Sequence, residues 1–139
     1  MSCSKSFKDI QVGDSATFTK TIAECDVYNY AGIVGDFNPV HINADEAKNS
    51  PFGQRIAHGM LSVGLISTIL GTELPGPGTL YLGQEVKFLA PVFFGDTVTA
   101  ECKVIEKRED KNIAKLATIV RKQDGTEVVT GVATVMKKE

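Results

Sequence analysis

The segment His58 to Leu70 constrains the fold most. Met60, Leu61, Val63, Leu65, Ile66, Ile69 and Leu70 surround a helical axis instead of lining one stripe of it. Such a helix has no polar face for water and must be covered by other elements. It is too short to span a bilayer, which takes about 20 apolar residues. Gly71 and the run Pro75-Gly76-Pro77-Gly78 stop it.

The chain beyond Gly78 can supply the cover. Val98, Ala100, Cys102 and Val104 alternate with Thr99, Glu101 and Lys103, the period of a strand with one wet face. Ile113 to Lys122 and Glu127 to Lys137 read as two further strands. Asp124-Gly125 between them is a hairpin signal, because the turn requires positive φ. Thr79 to Phe88 reads as another, with Gly83 marking a bulge or a close approach.

Ahead of the apolar helix, Ser15 to Ile22 has the β-branched and aromatic mix of a strand. Ala23 to Val34 changes period: Val27, Tyr30, Ala31 and Val34 share one helical face, and Gly35 supplies the stop. Asn43 to Lys48 reads as a short helix with Asn43 as its N-cap. No linker, repeat or biased tract divides residues 1–139, so one domain is expected.

A largely antiparallel sheet and one nearly all-apolar helix have a simple joint solution. The sheet curls around the helix and buries its full circumference. The expected class is α+β, a hot-dog architecture in outline. A β-sandwich is disfavoured, since the helical block is too long to be a decoration.

Charge and cysteines narrow the partners. A net charge of -2, with acidic and basic residues interleaved, argues against nucleic acid or an anionic membrane. Met1 to Asp9 has no apolar core of a secretory signal. Cys3, Cys25 and Cys102 have no metal-type spacing and read as reduced thiols of a cytoplasmic protein.

Chemistry concentrates in two places. Asp36, Asn38 and His41 lie on a loop stiffened by Pro39, which pushes Asn38 out of helical conformation. An Asp with a His offers a proton acceptor and a donor near neutrality. Asn38 can hold either group, or a backbone segment, by hydrogen bonding. A plainer reading stands beside this one: Asp36 caps the Ala44 helix or a turn, and His41 is a satisfied loop histidine.

The second place is His58-Gly59-Met60. First-turn N–H groups lack intrahelical partners and lie at the positive end of the helix dipole. A glycine there lets a carbonyl oxygen approach and be stabilised as charge develops. Alternatively, Gly59 only permits close packing. Asp36, His41 and His58 also have the residue types of a two-histidine, one-carboxylate metal set. No helical spacing brings the two histidines together, and no metal or other cofactor is expected.

Gly35-Asp36-Phe37-Asn38-Pro39-Val40-His41 resembles the hydratase motif of the MaoC-like, (R)-specific enoyl-CoA hydratases. The likeness continues through Ile56-Ala57-His58-Gly59-Met60-Leu61, Tyr81-Leu82-Gly83 and Phe88 to Asp96, in the family's order. It implies a hot-dog fold that forms a homodimer, with sites near the subunit interface. It implies a trans-2-enoyl-CoA substrate and an (R)-3-hydroxyacyl-CoA product. Asp36 and His41 are then the catalytic pair, Asn38 a supporting residue, and Gly59 the N–H donor to the thioester carbonyl. Which of the pair is the base stays open, because coupled groups share their titration. The acyl pocket is expected between the helix from His58 and the strand at Tyr81-Leu82-Gly83. A dehydratase of acyl carrier protein thioesters, a thioesterase and a non-catalytic acyl-thioester binding module are the competing functions.

Overall fold

The computed structural model describes residues 5–138, so Cys3 lies outside the described residues. A 3₁₀ turn at Phe7–Asp9 leads into β1 (Ser15–Thr21), α1 (Glu24–Val34), α2 (Pro39–Ile42), α3 (Ala44–Lys48) and α4 (Gly59–Thr72). Four strands complete the order: β2 (Leu80–Phe88), β3 (Thr97–Arg108), β4 (Ile113–Lys122) and β5 (Glu127–Met136). They form one sheet in the order β1-β3-β4-β5-β2, antiparallel at every pairing.

The inner face of this sheet carries the small and branched residues expected from the alternation. Val98, Ala100, Cys102 and Val104 of β3 join Leu116 and Val120 of β4 and Ala133 and Val135 of β5. Ile66, Ile69, Leu65 and Leu70 of α4 pack on them. Each fully buried side chain of this size contributes roughly 1.5–3 kcal/mol of hydrophobic stabilisation. Burial also pushes the Cys102 thiol up to about 12, so it packs as an apolar group and is no nucleophile. The architecture is the hot-dog fold.

The helix is not covered on its whole circumference. Met60, Gly64, Ser67 and Gly71 form an exposed strip along α4. Five strands curve around one side of the helix only, and small residues occupy most of the open one. In α1, Val27 and Ala31 are buried as expected, whereas Val34 is exposed beside the Gly35 stop, whose φ is 82°. The turn after β4 has Gly125 at φ 87°. The register of β2 against β5 shifts between Tyr81 and Gly83, where the sequence predicts a bulge.

Candidate active site

Three short stretches converge at the start of α4. Asn38 caps α2: its side-chain oxygen accepts from the Val40 N–H at 3.3 Å, and Pro39 occupies the first turn, where a missing donor costs nothing. His41 therefore sits on a one-turn helix instead of a loop. Asp36 does not cap the helix beginning at Ala44; Asn43 does that, accepting from Asp45 N and Glu46 N at 3.1 Å. The Asp36 Oδ1 instead accepts from the Asn38 N–H at 3.2 Å, a local turn that ties the carboxylate to the base of α2.

His41 is buried, and its Nδ1 lies 2.7 Å from the Ile56 carbonyl oxygen. A carbonyl only accepts, so Nδ1 carries the proton and the neutral ring has a bare lone pair on Nε2. Ile56 is itself held: its N–H donates to Val40 O at 3.1 Å, and it bridges to Phe93. Asp96 anchors Phe93 by accepting its N–H at 2.8 Å, and also pairs with Lys122 at 3.2 Å. The imidazole is thus fixed to the sheet through a chain of backbone contacts.

His58 completes the cluster. It is the N-cap residue of α4, and its Nε2 donates to the Asp36 carbonyl oxygen at 3.0 Å. Its ring stacks on His41 with centroids 3.8 Å apart and lies 4.7 Å from the Tyr30 ring. Sequence spacing offers His58 no side-chain role beyond that of a disfavoured metal ligand. Its adjacency to Gly59 in the His-Gly-Met turn is the one signal that points to it.

Asp36, His41 and His58 offer ligand atoms within 4.8 Å of one another, so tertiary structure assembles what sequence spacing did not. The set nevertheless suits a metal poorly. Imidazole lone pairs lie in the ring planes, and the two planes are 28° apart in a stack. They do not converge on one point at the roughly 2.1 Å that metal–nitrogen bonds require.

Burial, first of all, holds the His41 pKa below its ordinary 6.5, aided by the neighbouring His58, while the Ile56 hydrogen bond and Asp36 act in the opposite sense. A lowered folded value means that the unfolded chain takes the proton first as pH falls. The stabilising contribution is therefore present above about pH 6.5 and is lost as pH falls through the folded value. Thermal midpoints measured from neutral to mildly acidic pH are expected to decline less in His41→Asn than in the parent. An equal decline in the two proteins contradicts this account.

Beside the cluster opens a cavity of about 500 Å³. His58, Gly59, Met60 and Ser62 of the helix start face Phe88, Leu89, Val128 and Val129 across it. The pocket thus borders the Phe88 end of β2, not the Tyr81-Leu82-Gly83 end. Asp36 and His41 do not line it, but they adjoin it through His58 and Ile56, which do. Gly59 is the first residue of α4, so its N–H has no intrahelical acceptor. A Cβ at Gly59 would lie 2.7 Å from the Phe88 ring, so the glycine keeps this corner open.

The hot-dog fold thus seats an Asp–His pair beside a glycine-led helix and an apolar cavity, an arrangement for acid–base chemistry next to an apolar group. The MaoC-like domain matches residues 9–130, and the chain belongs to that family. The (R)-specific enoyl-CoA hydratase of Rhodospirillum rubrum is 49% identical over 130 residues, covering 94% of this chain and 90% of that protein. That of Aeromonas caviae is 44% identical over 130 residues, covering 94% and 97%. The solved structure of the A. caviae (R)-hydratase involved in PHA biosynthesis superposes with a TM-score of 0.91 at 43% identity, covering 94% of this chain and 99% of that one.

Proposed function

We propose that the chain is a hydro-lyase that adds water to a trans-2-enoyl-CoA, giving an (R)-3-hydroxyacyl-CoA. One observation carries the catalytic reading: the His41 ring is locked by Ile56 with Nε2 open, beside the Asp36 carboxylate and next to the Gly59-led cavity. The R. rubrum and A. caviae relatives support the choice of thioester and of product hand.

The thioester carbonyl accepts from the Gly59 N–H, and the acyl chain lies in the apolar cavity. The Asp36 carboxylate and His41 Nε2 hold one water. As its oxygen bonds to C3, the C2–C3 electron pair shifts to make an enolate whose oxygen rests on Gly59. His41 takes the proton from the water and returns it to C2, which restores the thioester carbonyl. No group is consumed, so the same residues run dehydration in reverse.

The sheet edge supports subunit pairing. β2 is an outermost strand with Leu80, Leu82, Phe88 and the adjoining Leu89 exposed, the kind of edge that a second copy covers. A homodimer in a reducing, cytoplasmic setting is our reading, in keeping with the free thiols of Cys25 and Cys102. No helix among the described residues is long and apolar enough to cross a membrane.

The purified chain is expected to consume the enoyl-thioester absorbance of crotonyl-CoA and yield the (R)-3-hydroxy product without free thiol. Thiol release would instead make it a thioesterase. Binding without turnover would make it an acyl-thioester module, and turnover confined to acyl carrier protein thioesters would change the carrier.

A further inference from the structure

His58 and Ser62 bear the only polar side chains among the described residues that line the cavity. His58 donates through Nε2 to Asp36, which leaves its buried Nδ1 without a partner but as an acceptor that cannot donate to a carbonyl. Ser62 is 3% exposed, and its hydroxyl bonds to no described residue. The hydroxyl is not among the sealed-off polar atoms, so it reaches the cavity and can meet a molecule that enters there.

Both threonines of the same helix bond back to its carbonyls, whereas the exposed Ser67 does not. Thr68 donates to the Gly64 carbonyl at 3.1 Å, and Thr72 donates to the Thr68 carbonyl at 2.6 Å. Ser62 makes no such bond to His58, four residues back, although the helix offers it. Its hydroxyl is left for whatever enters the cavity.

Its position identifies the partner. Ser62 lies three residues after Gly59 and so shares its helix face. Helical side chains lean toward the N-terminus, over the preceding turn. Over that turn Gly59 has no side chain, and its N–H is unpaired within the helix. A carbonyl oxygen resting on Gly59 would lie in the same cavity, on the helix face that Ser62 shares.

We propose that the Ser62 hydroxyl is a second donor to the thioester carbonyl held by the Gly59 N–H, completing a two-donor oxyanion site. The proposal rests on the enoyl-thioester reading. While the C2–C3 electron pair moves onto the carbonyl oxygen, the O–H and N–H bonds share its charge. No proton leaves Ser62, and the carbonyl re-forms when C2 is protonated. The enolate has more charge than the ground-state carbonyl, so this contact acts on kcat more than on KM.

The test compares parent, Ser62→Ala and Ser62→Thr on crotonyl-CoA, with thermal midpoints as a folding check. Ser62→Ala is expected to lower kcat about ten- to a hundredfold, with KM changed little. Ser62→Thr, which restores the hydroxyl, is expected to retain most of the rate. A parent-like kcat in Ser62→Ala overturns the proposal, as does a rise in KM alone. Equal losses in both variants do so too, since they would assign the effect to shape and not to the hydroxyl. A parent that leaves crotonyl-CoA unchanged overturns the underlying reading itself, whereas an active parent with an indifferent Ser62→Ala overturns the serine alone.

Discussion

Asp36→Asn is expected to fold as the parent does and to hydrate crotonyl-CoA about 10²- to 10⁴-fold more slowly, because general acid–base catalysis of that size needs the water held against His41 and the carboxylate holds it. The substitution isolates the charge. Asparagine keeps a side-chain oxygen to accept the Asn38 N–H, so the turn at the base of α2 persists. The Asp36 side chain is 49% exposed and supports no core contact, so the thermal midpoint is expected to hold. His41→Ala is expected to lose activity to a similar extent. It also forfeits the Ile56 hydrogen bond and the stack on His58, so it is expected to lose some stability. The double variant should then be little worse than either single one, because both groups act on one water. Steady-state rates with calorimetric midpoints check all three, and parent-like turnover in folded Asp36→Asn would sink the mechanism.

The largest expected effect on stability lies away from the site, at Gly131. Gly131 pairs with Val86 across β5 and β2 and with Thr118 across β5 and β4. A Cβ there would lie 1.7 Å from the Glu85 oxygen, 2.7 Å from the Glu85 carbonyl carbon and 3.0 Å from the Val86 Cα. All three are backbone atoms of a paired strand, so no rotamer change relieves the clash; β2 must part from β5. Gly131→Ala is expected to cost about 3 kcal/mol or more, or roughly 10 °C in thermal midpoint. Gly83→Ala is the control, because a Cβ at Gly83 meets nothing within 4 Å. Since β2 runs into Phe88 and Leu89 of the cavity wall, Gly131→Ala should weaken substrate binding as well. Equal denaturation midpoints for the two alanine variants would refute the steric account.

Much of this molecule is legible along the chain because the decisive contacts are local. Alternation in Val98 to Val104 identifies the buried face of β3. Asn43, Gly35 and Gly125 mark a helix start, a helix end and a turn from the conformations that their side chains permit. Asp36, Asn38 and His41 stand out for the same reason, as polar residues set around a proline. The local rules mislead where packing intervenes. They wrap α4 completely, because hydrophobicity does not count the strands available to cover it. They name the helix from His58 and the strand of Tyr81-Leu82-Gly83 as the cavity's bounds, but not that Phe88 at the far end of that strand is its lining residue, because nothing in a strand's residues tells which of its ends faces the helix start.

His58 is the sharpest case. As a sequence neighbour of Gly59 it is a cap position and little else. In the fold it holds the backbone of Asp36 while its ring stacks on His41, residues 22 and 17 positions away. Sequence by itself determined the strands, the helices α1, α3 and α4 and the residue types able to move a proton, since each follows from short-range periodicity and side-chain chemistry, while the one-turn α2 read as a loop. Tertiary structure alone decided which nitrogen of His41 is free and that ring nitrogens of both histidines lie within 4.8 Å of one carboxylate. It also decided that the unpaired Ser62 hydroxyl shares a cavity with Gly59. Those outcomes depend on the closing of the sheet over α4, which brings together groups that the backbone separates.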